Sequence, residues 1–162
     1  MANIKKAYIA GGCFWGMEDL FRIRKGILET EVGYIGGQND NPTYRNHPGH
    51  AEGIELTYDA DQTNFNEILD YFFRIHNPTT VDQQGNDMGS SYRSAIFFQN
   101  EEERLASEAF IKIVEESKRW DGKVVTTLEP YSTFWPAEPE HQDYLVRNPN
   151  GYTCHFERFG AF

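Results

Sequence analysis

Apolar residues recur along this chain in two rhythms. Phe65, Ile68, Leu69, Phe72 and Phe73, with His76 closing the series, fall three and four apart, the spacing of one helical face, and Thr63 stands where a cap is expected. Leu105, Ala106, Ala109, Phe110, Ile113 and Val114 make a second stripe, and Asn100 followed by Glu103 has the spacing of a capping box. A shorter helix is expected from Phe14 to Arg22. Elsewhere the period drops to two, as at Ile54, Leu56 and Tyr58, and strands are expected at Lys5–Ala10, Ile27–Ile35, Ile54–Tyr58, Ser94–Phe98 and Val124–Leu128.

Strands and helices alternate, which predicts an α/β (α+β) fold. The expected form is a two-layer sandwich of the split βαβ, ferredoxin-like type, one catalytic domain over residues 1–162. Between Gly36 and Gly53, between Asn77 and Arg93, and after Pro130 the pattern is irregular. Loops of that length in a compact domain usually carry function, so the chemistry is expected there.

Composition narrows the classes. The 12 Phe, 9 Tyr and 3 Trp supply a core that the aliphatic residues alone would not. A net charge of −10 excludes a nucleic-acid or anionic-membrane surface as the main business, because phosphate binding needs a basic footprint. The weakly polar run Ala7–Met17 is far short of the roughly 20 residues a bilayer span needs, and too broken for a leader segment. Two cysteines, Cys13 and Cys154, make no disulfide framework, so an intracellular, cytoplasmic protein with free or transiently paired thiols is expected.

Cys13 sits in Gly11-Gly12-Cys13-Phe14-Trp15-Gly16, after an expected strand and at the start of an expected helix. Helix-start N–H groups and the dipole favour a thiolate there, and the glycines permit a sharp turn; a plain buried cysteine is the competing reading. Phe14 and Trp15 could wall a small methyl-bearing group. Glu52, Tyr44, Asp87 and Tyr92 lie in or beside the irregular segments. Singly they read as a surface carboxylate, a turn former and scaffold phenols. Converging on a thiol, they could donate a proton and hydrogen bonds to an oxygen being removed. His47, His50, His141 and His155 could instead hold a metal, but no Cys-x-x-Cys accompanies them, and neither metal nor cofactor is expected. A cysteine peroxidase is the alternative enzyme class.

The chain resembles the methionine sulfoxide reductase A family. The resemblance rests on Gly12-Cys13-Phe14-Trp15-Gly16, Gly33-Tyr34-Ile35-Gly36-Gly37, Asn41-Pro42-Thr43-Tyr44 and Gly49-His50-Ala51-Glu52. It continues through His76-Asn77-Pro78-Thr79, Gln84-Gly85-Asn86-Asp87, Tyr92-Arg93-Ser94-Ala95-Ile96 and His141-Gln142-Asp143-Tyr144. What it implies is reduction of the S epimer of methionine sulfoxide, free or in proteins. Cys13 matches the nucleophile, Glu52 the acid, Tyr44 and Tyr92 the phenols that bond to the sulfoxide oxygen, Phe14 and Trp15 the methyl-binding walls, and Asp87 a residue ordering the site. Glu18 falls in the first of these segments and reads as helix scaffolding. Cys154 resembles a resolving thiol that pairs with a Cys13 sulfenic acid, the disulfide then being reduced by thioredoxin or a similar dithiol. A monomer acting without nucleic acid, membrane or cofactor is expected.

Overall fold

The structure is a computed structural model that describes residues 3–162. In chain order it has β1 (Ile4–Gly11), α1 (Phe14–Arg22), β2 (Ile27–Ile35), β3 (Ala51–Asp59), α2 (Phe65–Ile75), and a short hairpin of β4 (Gln83–Gln84) and β5 (Asp87–Met88). A 3-10 turn at Ser90–Tyr92 leads to β6 (Ser94–Phe98), α3 (Glu101–Glu116), β7 (Thr127–Pro130) and β8 (Phe134–Pro136). A second 3-10 turn at Pro139–His141 precedes α4 (Tyr144–Arg147).

Six strands form one sheet in the order β7-β6-β1-β3-β2-β8. Among the described residues, β6 and β7 run parallel and the other neighbours in this sheet are antiparallel. The inner four, β6-β1-β3-β2, with α1 joining β1 to β2 and α2 between β3 and β6, are the split βαβ arrangement that the alternating pattern predicts.

Alternation along β1 explains the two sides of the sheet. Ala7 and Ile9 join Ile54, Leu56 and Ile96 beneath Met17 and Phe21 of α1, the apolar stripe of α2, and Phe110 and Val114 of α3. Tyr8 and Ala10 face the other way, with Ile35, Ala51, Ala95, Phe97 and Phe134. β1 is therefore buried on both faces over Ala7–Gly11, and the turn at its end springs from a rigid base.

The structure moves some boundaries. Asn64, not Thr63, caps α2: Asn64 Oδ1 accepts the Glu67 N–H at 2.8 Å, while the Thr63 hydroxyl donates to the Glu67 carboxylate. The expected strand Val124–Leu128 starts later, at Thr127. Val124 is buried in the helix-side core, and the Val125 N–H is used by the Pro78 carbonyl off the sheet. Asn100 does cap α3, accepting the Glu103 N–H at 2.8 Å.

The segment after Pro130 is less irregular than its sequence suggests. β8 adds to β2, pairing Tyr34 with Trp135, and Gln142 extends that edge with its side chain, bonding the Val32 N–H, the Val32 carbonyl and the Ala137 carbonyl. Glu18, buried in α1, accepts the Thr30 hydroxyl and the Asp143 N–H, both at 2.9 Å, and is scaffolding as expected. Among the described residues, no helix is long and apolar enough to cross a membrane.

Candidate active site

β1 ends at Gly11, and Gly12 turns the chain with a φ of +100°, where a Cβ would lie 2.7 Å from the Gln84 side chain. That turn delivers Cys13 as the N-cap residue of α1. Cys13 is 7% exposed, a nearly closed position for a thiol. Here the sequence expectation of a standing thiolate is corrected. Burial pushes the Cys13 thiol far up and neighbouring Glu52 adds to it, while the Trp15 N–H at the helix start pulls the other way and loses. The thiol is neutral, and helix position alone does not ionise it.

Glu52 is the second residue of β3, on the same strand face as Ile54, Leu56 and Tyr58, so it continues an apolar stripe with a carboxyl. It lies opposite Tyr34 in the β2–β3 register. Only 1% of it is exposed. Oε1 accepts the Phe14 N–H at 3.2 Å, and buried Oε2 has no partner among the described residues. Burial, opposed by that N–H and aided by Asp87, pushes its pKa up to about 8. Glu52 is therefore an un-ionised carboxylic acid at neutral pH, with a free oxygen beside the turn that carries Cys13.

Three irregular segments close over this pair. Tyr44 projects from the loop between β2 and β3, with its N–H bonded to Glu138 Oε2 at 3.0 Å. Tyr92 ends the 3-10 turn before β6. Each phenol is pushed up first by burial and then by Glu52, and each bears on the other, so both are O–H donors at neutral pH. His47 joins their segments through Nε2 to Ser91 Oγ at 2.8 Å, and Arg93 ties the Tyr92 turn to the Gly49 carbonyl and to Glu129. Asp87, on β5, accepts the Tyr152 hydroxyl at 3.1 Å and bears electrostatically on Cys13, Glu52, Tyr44 and Tyr92.

The aromatic pair divides its work. Phe14 is buried against Tyr34 and His141, whereas Trp15 is half-buried, stacked 3.9 Å from Tyr144, with its indole N–H donated to His141 Nδ1 at 3.2 Å. Trp15 and Tyr44, which is 38% exposed, supply the accessible aromatic surface.

Sequence reasoning missed Glu138. It accepts the Tyr34 hydroxyl at 2.8 Å and the Tyr44 N–H, tying a sheet residue to a loop residue. Burial works against its charge, but those donors outweigh burial and hold its carboxyl below the usual carboxylate range. It was hidden in a proline-rich stretch with no periodicity. Gln84 was named only as part of a family segment; its side chain bonds both the Asn77 N–H and the Asn77 carbonyl, bracing the hairpin against Gly12.

Cys154 arrives on the irregular segment after α4. Half-buried, it has Sγ 3.9 Å from the Gln84 carbonyl and 4.0 Å from His155 Nδ1. Burial pushes its thiol up against the pull of the Tyr152 hydroxyl, and its charge would act on Cys13. Both cysteines are free thiols.

The histidines are spoken for by other bonds. His47 uses both nitrogens, on Thr43 O and Ser91 Oγ, and His50 both of its own, on the Gly37 N–H and Asn39 O. His155 Nε2 holds the Gly11 carbonyl. Glu138, Glu140 and His141 lie together, but Glu138 and His141 already accept from Tyr34, Tyr44 and Trp15.

This geometry can be set beside known proteins. Residues 5–160 match the family described as peptide methionine sulfoxide reductase. The peptide methionine sulfoxide reductase MsrA of Nocardia farcinica is 58% identical over 158 residues, covering 98% of this chain and 93% of that protein. The reduced form of Mxr1 from Saccharomyces cerevisiae superposes with a TM-score of 0.86 at 34% identity, covering 96% of this chain and 93% of the other. Mxr1 in complex with Trx2 gives 0.64 at 28% identity, covering 96% and 91%. A match over nearly the whole length, with likeness in both sequence and fold, places this chain in the peptide methionine sulfoxide reductase family of oxidoreductases.

Proposed function

We propose that the chain reduces methionine S-sulfoxide, free or within proteins, to methionine, with Cys13 as nucleophile and Glu52 as acid. One observation carries the assignment of roles: a carboxyl kept un-ionised to about pH 8, with an unpartnered oxygen, beside a buried thiol. The sulfoxide oxygen takes hydrogen bonds from Tyr44 and Tyr92, and the methyl rests on Trp15, backed by Phe14. The Cys13 sulfur bonds to the sulfoxide sulfur while Glu52 gives its proton to the oxygen. The carboxylate so formed receives the thiol proton, which is why neither group needs to be ionised beforehand. The new sulfur–sulfur bond and the S–O bond then both break as the hydroxyl passes to the Cys13 sulfur, so methionine leaves and Cys13 remains as a sulfenic acid. Sulfoxide sulfur is reduced and Cys13 oxidised by the same two electrons.

Cys154 attacks the sulfenic sulfur next, forming a Cys13–Cys154 disulfide and releasing water, and a thioredoxin-like dithiol restores both thiols. The Mxr1–Trx2 complex supports such a partner. The −10 charge argues against nucleic acid, and two free thiols suit the cytoplasm. The peroxidase alternative is not favoured, because it needs a cysteine of lowered pKa, and Cys13 is pushed the other way.

Incubation with a racemic methyl sulfoxide and dithiothreitol, followed by chiral analysis, tests the proposal. The S epimer should disappear and the R epimer remain. Equal loss of both, or faster turnover of hydrogen peroxide than of sulfoxide, would overturn it.

A further inference from the structure

We infer that His155 is a positioning residue for the resolving step, holding Cys154 against the Gly11–Cys13 turn; this rests on the reading of Cys154 as resolving thiol. The His155 ring is 6% exposed, and burial pushes its pKa down to about 4, so it is neutral. Its Nε2 lies 2.6 Å from the Gly11 carbonyl. A carbonyl only accepts, so Nε2 carries the hydrogen and Nδ1 keeps its lone pair. That lone pair faces Cys154 Sγ at 4.0 Å, beside the Gln84 carbonyl at 3.9 Å as the other acceptor within reach of the S–H, and the His155 N–H is itself held by Thr153 Oγ1 at 3.1 Å.

Space for the ring is made by the glycines around the nucleophile. A Cβ on Gly16 would lie 2.4 Å from His155 Nδ1 and 2.4 Å from Thr153 Oγ1, and one on Gly12 would lie 3.3 Å from Nε2. The ring thus sits between the turn that presents Cys13 and the residue next in line to react with it. The groups that bond the ring or bear on its charge include Gly11, Cys154, Arg158 and the buried ring of His76; among the described residues no bond joins it to Glu52, Tyr44 or Tyr92. Its link to the sulfoxide step is confined to the Gly11 carbonyl of the turn. In the resolving step the Cys154 sulfur bonds to the Cys13 sulfur, the Cys13 S–O bond breaks, and the hydroxyl leaves with the thiol proton as water. The oxidising equivalents were already supplied by the sulfoxide. His155 acts on this step by fixing where Cys154 starts.

The test is a single-turnover reaction of the full chain with one equivalent of methyl sulfoxide and no added thiol, following both methionine release and Cys13–Cys154 bonding by mass spectrometry. His155→Phe, which keeps ring volume and loses both nitrogens, should slow disulfide formation about tenfold or more while methionine release stays within about twofold. His155→Gln, whose amide N–H can still reach the Gly11 carbonyl, should recover most of the rate. Equal slowing of both steps, an unchanged disulfide rate, or no recovery in His155→Gln would each overturn the inference. Should His155→Phe fail to fold, imidazole nitrogen NMR of the wild type decides: the ring should be the Nε2–H tautomer, with Nδ1 shifting when Cys154 is oxidised, and an unmoved Nδ1 overturns it. A wild-type protein that turns over once but forms no Cys13–Cys154 bond would sink the Cys154 reading itself, an outcome separate from all of these.

Discussion

The two thiols live in contrasting surroundings. Cys13 follows a strand buried on both faces and caps a helix, with Glu52 delivered to it by β3. Regular structure fixes that pair, and its burial sets both protonation states. Cys154 sits on an irregular segment tied down by side chains: Tyr152 to Asp87, His155 to Gly11, Arg74 to Glu157. The chemistry explains the difference. Sulfoxide reduction needs a dry, prearranged acid and nucleophile. A resolving thiol must move toward Cys13 and then be reached by a dithiol, which a strand or helix interior would prevent.

The comparison is broken most severely at the nucleophile. Cys13→Ser should lower methionine formation by more than about 10³-fold, whereas Cys154→Ser should keep one full turnover and lose recycling by thioredoxin. A burst assay separates them, and a missing burst in Cys154→Ser would show the two regions are not separable.

Glu52→Gln should cost about 10²–10³-fold in kcat/KM. The wild-type rate should fall as pH rises through about 8, because the acid form is the donor, and that limb should vanish in the variant. The same burial has a stability consequence. Glu52 has a folded pKa above its unfolded value, so its contribution is fully present below about pH 4 and lost as pH rises to about 8. Thermal unfolding of Glu52→Gln should show a weaker decline over that window.

Gly16→Ala sharpens the contrast at the seam between the regions. The added methyl meets His155 and Thr153, so about 1–3 kcal/mol of stability should be lost. Disulfide formation should suffer more than the burst; equal damage to both would argue against a local effect.

The smallest effect is expected at Glu138→Gln, which removes a charge and one of the two accepting oxygens, leaving an acceptor for either the Tyr34 hydroxyl or the Tyr44 N–H but not for both. A loss of about three- to tenfold in kcat/KM is expected, from weakening hydrogen bonds to a charged group by roughly 1 kcal/mol. An unchanged rate would mean that Tyr44 is held without it.

Periodicity alone marked the inner strands, both long helices and the Asn100 cap, because an apolar residue must repeat with the period of the element that buries it. The glycines around Cys13 and the eight family segments pointed to the residues proposed for the site. Protonation was beyond the sequence: Cys13 at a helix start reads as a thiolate until its burial and the nearness of Glu52 are known. Glu52 itself stood two residues before Ile54 on a core-facing stripe, but only the closed fold showed that among the described residues no side chain bonds its second oxygen. The same holds for Glu138 and His155, which carry no local signal. Their partners lie 94 and 144 residues away in the chain, and contacts of that separation are decided by tertiary packing, since no local pattern encodes them.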